Sequence, residues 1–363
     1  MKIINKSMIL SIMTIGLILC GCNSQSENID KTSLMKLDIE ERPEENLEIN
    51  LHVDYSEWEK GEIHTLKIKP YKGDDKQWVT DFANAYFSSN SMDKPVVDQE
   101  NEKSMYISGD DHFFMVSPEI VWFYKHKVLA DSASFFYREP GIEEFFIKDI
   151  DQYYQKQDLD FMTYDSARSL SDKFMFDVGY EYKKEGVRGY ALKADQLNKY
   201  RKDHQEEFDG LTSLMEDKKG VIEEWSSENE FYLFYYPCSI NGLTIMPSQT
   251  FAFTWAYTVI NRDGIESGHA GPVFQITDSE ERTMITAQEA LDKIQAMYQS
   301  TIITQKIQIY DLQLQYSITK YDKESGSYQC SPVWKFFVRM ESGEGEMVHS
   351  TVTYNAETGE RMG

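Results

Sequence analysis

Tyr310-Asp311-Leu312-Gln313-Leu314-Gln315-Tyr316-Ser317-Ile318 sets an apolar or aromatic side chain at every second position. A period of two is the pattern of a strand with one face on a core. Upstream, Ile285-Thr286-Ala287-Gln288-Glu289-Ala290 opens a helix with a Thr286-to-Glu289 capping box, and Leu291, Ile294 and Tyr298 continue one apolar face. Downstream, Ser331-Pro332-Val333-Trp334-Lys335-Phe336 reads as a second strand. Pro332 has no ladder donor and is expected at its start or at an edge, while Trp334, Phe336, Val338 and Met340 share the face that covers the helix. Asn355-Ala356-Glu357-Thr358-Gly359 is turn chemistry, with Gly359 free to take a positive φ. A helix over antiparallel strands predicts an α+β fold.

Working outward, the same reading extends over the chain. Ser239-Ile240-Asn241-Gly242-Leu243-Thr244 sets an Asn-Gly pair between the apolar runs 231–236 and 243–246, the sequence of a two-residue hairpin turn. Phe251, Phe253, Trp255, Tyr257 and Val259 alternate until Asn261-Arg262-Asp263-Gly264 ends the run. Met105–Ser108, His112–Val116 and Ile120–Tyr124 read as a meander. Thr163 and Ala167, spaced like Thr286 and Ala290, begin a second amphipathic helix through Leu170, Phe174 and Val178, and Trp78, Phe82 and Tyr86 make a third apolar stripe behind Asp74-Asp75. Residues 195–219 read as a polar helix or excursion. The expected architecture is α+β: antiparallel sheets, each packed on one or two amphipathic helices, in units 47–160, 161–280 and 281–363.

The C-terminal succession of capped helix, alternating strand, Pro-x-Trp strand and Ala-x-Thr-Gly-Glu turn resembles PepSY domains and the related folds of YycH/YycI-type extracytoplasmic regulators. The likeness is confined to residues 281–363. It implies a module that binds or inhibits protein partners, often peptidases or membrane sensors, and has no catalytic residues of its own.

The N-terminus supplies an address. Lys2 and Lys6 precede an apolar run from Met8 to Leu19, too short for an ordinary membrane span, and Leu19-Cys20-Gly21-Cys22 follows. This resembles a bacterial lipoprotein signal: residues 1–21 are cleaved at the lipobox (Leu19, Cys20, Gly21), and the mature chain starts at a lipid-modified Cys22. Cys20 is the rival, but Leu19 before it is too large. Two acyl chains give stable membrane residence. The expected location is the extracytoplasmic face of the cell membrane. Residues 22–46, acidic and nearly free of aromatics, read as a solvated tether, with the folded body starting near Leu47.

Cleavage would remove two lysines and no carboxylates from a chain of net charge −24, leaving −26. Such a field excludes nucleic acid and a polybasic membrane contact as partners, so the lipid is the expected attachment to the membrane. Beyond Cys20 and Cys22 stand only Cys238 and Cys330. A disulfide is permitted in an exported protein, but a chain this long can bury its own core and favours two separate thiols.

Chemistry is sparse. The seven histidines show no metal-ligand spacing, so no metal and no cofactor is expected. Gly264-Ile265-Glu266-Ser267-Gly268-His269-Ala270-Gly271 holds a Ser and a His without a nucleophile elbow and reads as a loop. Glu143-Glu144 and Glu223-Glu224 read as solvated faces rather than an acid/base pair. Trp122-Phe123-Tyr124 and Tyr232–Tyr236 suit either an aromatic ligand platform or a sheet buried on both faces, the second being the default. The expected function is non-enzymatic binding or regulation of another envelope protein. A glycan- or nutrient-binding lipoprotein is the alternative, and a hydrolase has no local support.

Overall fold

The computed structural model describes residues 36–55, 63–70, 153–206, 221–246, 254–301, 303–342 and 347–362, with shorter stretches between 81 and 134 and at 208–209. The chain is mainly β, in antiparallel and mixed sheets with few helices. Three strands come first: β1 (Lys36–Glu44), β2 (Leu47–Asp54) and β3 (His64–Pro70). A second sheet then interrupts the first. Its strands are β4 (Val96–Val97), β5 (Met105–Ser108), β6 (Phe113–Val116), β7 (Val121–Tyr124), β8 (Arg188–Leu192) and β9 (Phe231–Pro237). The small hairpin β10 (Ser239–Ile240) and β11 (Leu243–Thr244) follows, and β12 (Trp255–Asn261) and β13 (Gly264–Gly271) complete that sheet. The chain then returns to the first sheet as β14 (Phe274–Glu281), β15 (Ile307–Asp322), β16 (Ser327–Glu341), β17 (Met347–Asn355) and β18 (Arg361–Met362). Helices are α1 (Lys127–Ser134), α2 (Tyr164–Val178), α3 (Ala194–Asp203) and α4 (Ala287–Gln299).

Sheet I runs β1-β2-β15-β16-β17-β18, with β3 also on β16 and β14 on β3; sheet II runs β4-β5-β6-β7-β13-β12-β9-β8. Sheet I therefore joins segments from both ends of the sequence, so the sheets do not follow the sequential units 47–160, 161–280 and 281–363. The expected tether is also corrected: residues 36–44 form β1, because Leu37 and Ile39 alternate with acids and lay an apolar face against the core while β2 supplies the ladder.

Both capped helices form as read. Thr286 accepts from Glu289 N at 3.0 Å and the Glu289 carboxylate accepts from Thr286 N at 2.7 Å. Ala287, Ala290, Leu291 and Ile294 are buried against sheet I, and the Trp334 indole donates to Ile285 O at 3.0 Å. Thr163 caps α2, which ends on Gly179 at φ 75°. Beneath α2 the Tyr236 hydroxyl donates to Asp172 at 2.9 Å and lies 2.6 Å from Ser171 Oγ, itself 2.5 Å from the Thr258 hydroxyl. Arg168 and Tyr182 donate to the same Asp172 carboxylate. This network is a directional lock between helix and sheet, since each buried polar group keeps a partner. Gly268 lets α2 approach: a Cβ there would lie 2.7 Å from Phe123 and 2.9 Å from Phe174. The opposite face of sheet II carries a second core, where Trp255, Tyr257, Phe231 and Leu233 meet Leu197, Tyr200 and Trp225.

Pro332 lies inside β16 rather than at its start. β3 pairs with β16 only over 328–330 and β17 only from 333 onward, so Pro332 falls in the break between them. Its carbonyl accepts from Ala356 N at 2.9 Å on that side, and the missing N–H costs the ladder with β15 nothing. The Asn-Gly turn has positive φ at both positions, 49° and 81°. Its hairpin stays two residues long per strand, because β9 pairs instead with β8 and β12. Residues 264–271, expected as a loop, are β13, a strand buried at the centre of sheet II. Their small side chains suit the crowding of Phe123 and Phe174 rather than loop flexibility. Phe251, Phe253, Trp78, Asp74-Asp75 and Gly109-Asp110-Asp111 lie outside the described residues.

Candidate functional sites

Two features stand out: a presented strand edge and a cleft. The edge is β14. It pairs along its length with β3, including Gln275↔Lys69 and Ser279↔Leu66, with a register shift between Ile276 and Asp278. Phe274 is half-buried, and every later residue is exposed on either face. Asp278 bonds Lys67 at 3.2 Å, which holds its carboxyl below the usual range, and Arg282 meets Glu280 at 2.7 Å. Among the described residues β14 has no second neighbour, so its outward N–H and C=O groups face away from the sheet. Among the described residues β1, at one end of the sheet I strand order, is different. It carries Pro43 and a register shift between Glu41 and Glu44, both of which spoil pairing with a further strand.

The cleft lies between sheet I, the turn ahead of β8 and the β10–β11 hairpin. β2 and β15 pair in parallel only from Leu47↔Ile307 to Ile49↔Ile309. The irregularity between Ile309 and Asp311 then turns β15 away. Beyond that point the Tyr55 hydroxyl bridges the gap, donating to Leu312 O at 3.2 Å and accepting from Leu314 N at 3.1 Å. Asp311 Oδ1 accepts from Leu312 N at 2.8 Å, and the ladder resumes where Met246 N donates to Tyr316 O at 2.8 Å. The resulting cavity, about 440 Å³, is walled by 52–55, Lys183, Glu185, Gly186, 242–244 and 311–314.

Glu266, His269, Cys238 and Cys330, buried titratable groups among the described residues, are held within the fold. Glu266 is fully buried, yet its carboxylate accepts from His126 N at 2.7 Å and Asn261 Nδ2 at 3.1 Å and lies 2.9 Å from His126 Nδ1. It ties the start of α1 to the β12–β13 turn. His269 is packed between Trp255 and Tyr257, and burial pushes its pKa down to about 4, so the ring is neutral near pH 7. Cys238 and Cys330 are two separate buried thiols, and burial pushes Cys238 up to about 12.

Leu19, Cys20, Gly21 and Cys22 lie outside the described residues, as do Glu143 and Glu144; Glu223 and Glu224 are exposed. Tyr232, Leu233, Phe234 and Tyr236 are core, whereas Trp122 keeps 37% of its surface exposed. Among the described residues no group of three His, Cys, Asp or Glu is placed to hold a metal ion, and no helix is long and apolar enough to cross a membrane. Neither the edge nor the cleft is visible in local sequence. Residues 274–281 alternate only at Phe274 and Ile276 before turning polar, and the cleft gathers four distant segments.

No family model and no curated protein matches the chain. Among solved structures it is similar to an uncharacterized protein from Eubacterium rectale ATCC 33656, with a TM-score of 0.63 at 14% identity over 90% of this chain and 93% of that one. The likeness is one of fold.

Proposed function

We propose that this protein is a lipid-anchored, extracytoplasmic binding module that docks an extended segment of another envelope protein along β14 and performs no catalysis. In this reading a diacylglyceryl thioether on Cys22, behind the lipobox Leu19-Cys20-Gly21, holds it at the membrane. α4 over β15–β18 is its PepSY-like α+β unit, and α2 over β9, β12 and β13 is a second unit of similar design. The observation that supports docking is β14 itself, a strand that buries almost nothing yet is held extended by β3. Strand addition to such an edge draws its affinity from main-chain hydrogen bonds.

The test uses cells carrying a photocrosslinking residue in place of Ile276, with the same residue at exposed Phe176 of α2 as the control. An adduct with one envelope protein from position 276 alone is the expected result. Adducts absent from 276, or identical from both positions, contradict docking at β14. Cys22→Ala is expected to release folded protein from the membrane, and persistent attachment of that variant contradicts the anchor.

A further inference from the structure

We infer, on grounds separate from β14, that the pocket between α2 and the end of the β7–β13 strand pair binds a small monocarboxylate with a short apolar body, its carboxylate held by Lys125.

The walls come from three parts of the chain. β7 and β13 pair from Val121↔Ala270 to Tyr124↔Ser267, and Lys125 N extends the ladder by donating to Glu266 O at 2.9 Å. That bond fixes the lysine backbone at the strand end. Leu170 and Lys173, three apart on α2, face it from the helix side. Tyr86 forms the third wall. Its hydroxyl donates to Asp177 at 2.6 Å, and its ring lies 4.6 Å from that of Phe82, 6.1 Å from Phe123 and 5.5 Å from Phe174, so this wall is set before any ligand arrives. The cavity is about 250 Å³, and Ala85 and Ile265 complete its lining among the described residues. That is less than the roughly 300 Å³ at which drug-sized sites begin, so the ligand is limited to few heavy atoms. Ala85, Leu170, Ile265 and the Tyr86 ring offer it carbon.

The two lysines differ in what they already hold. Lys173 is ion-paired with Asp177 one turn along α2 and has no charge to spare. Lys125 is half-buried, and among the described residues its Nζ has no hydrogen bond and no ion pair. Burial lowers its pKa, and the fields of Glu266 and Asp263 do not offset that loss of hydration. Neither carboxylate reaches it: Glu266 accepts from His126 N and Asn261 Nδ2, and Asp263 is exposed to water. A desolvated ammonium at an apolar cavity gains from one anionic group and repels a second cation. An uncharged head leaves it as unpaired as before.

The experiment titrates the full-length protein with hexanoate, hexanamide and hexylamine, reading heat, and then acetylates lysines with and without hexanoate, reading each site by peptide mass. Hexanoate is expected to bind at least about tenfold tighter than hexanamide, and hexylamine to give no heat. Hexanoate is expected to protect Lys125 and to leave exposed Lys202 unprotected. Lys125→Met keeps an apolar side chain without the charge, and is expected to erase the preference for hexanoate; Lys125→Arg is expected to retain it. Acetylation needs no variant, so it decides the matter if Lys125→Met does not fold. Equal binding of hexanoate and hexanamide, a preference that survives Lys125→Met, or unprotected Lys125 overturns the role of that lysine. No heat with hexanoate overturns the site.

Discussion

β13 and β14 are consecutive strands joined by two residues, yet one is buried at every position after Gly264 and the other exposed at every position after Phe274. Backbone conformation is the same; the surroundings differ. β13 lies between β7 and β12 with α2 on one face and aromatic rings on the other, so its side chains are small where Phe123 and Phe174 press in. β14 carries Gln275, Thr277, Asp278 and Ser279 because neither face needs apolar cover. One strand holds the fold together and the other presents backbone to solvent. The contrast implies that the residues that hold the core and those of the proposed docking edge are separable along a span of eighteen positions.

The comparison can be strained most at Gly268. Gly268→Val is expected to cost about 3 kcal/mol or more, since the new methyl groups meet two rings and strand backbone that have nowhere to move. Urea unfolding reads it, and a midpoint shift comparable to that of a β14 variant would erase the distinction. Next is acid. His269 is neutral when folded, with a pKa near 4, while the unfolded ring titrates near the ordinary 6.5, so protons favour the unfolded chain between those values. Stability is therefore intact above about pH 6.5 and falls as pH drops towards 4, by up to about 3 kcal/mol. His269→Phe should flatten that part of the profile; an unchanged profile would place the acid sensitivity elsewhere.

A smaller effect belongs to the caps. Thr286→Ala removes the acceptor for Glu289 N and should cost about 1 kcal/mol, visible in thermal melts. Smallest of all, Ile276→Gln on β14 is expected to shift stability by no more than about 0.5 kcal/mol, because its side chain is already 39% exposed and packs on little. A larger loss would mean that β14 supports the core after all.

Local chemistry was legible in the sequence to the extent that it is local. The Thr286 box, the Thr163 cap, the Asn241-Gly242 turn and the alternation of Leu312, Leu314 and Tyr316 each depend on neighbours within a few residues, and each forms as read. What was not legible depends on distant partners. β1 looked like tether because its ladder comes from β2 and its cover from a core built by the other end of the chain. β13 looked like a loop because glycine, serine and alanine signal flexibility in isolation and close approach only beside Phe123 and Phe174. Pro332 broke a rule for strand centres because β3 and β17 leave it an edge position inside a long strand. The expected antiparallel sheets form and carry amphipathic helices, but strands outweigh helices so far that the chain is mainly β rather than evenly α+β. The candidate sites differ in the same way: the proposed lipobox is a reading of neighbouring residues, whereas the β14 edge and the cleft exist only once sheet I is assembled from segments far apart in the chain.

Hydrogen exchange on β13 and β14, compared between the purified protein and the protein in its native membrane, tests the central claim most directly. The account predicts that the β14 amides pointing away from β3 exchange quickly when purified and slowly in the membrane, with β13 protected in both. Equal, rapid exchange of those β14 amides in both preparations would contradict it.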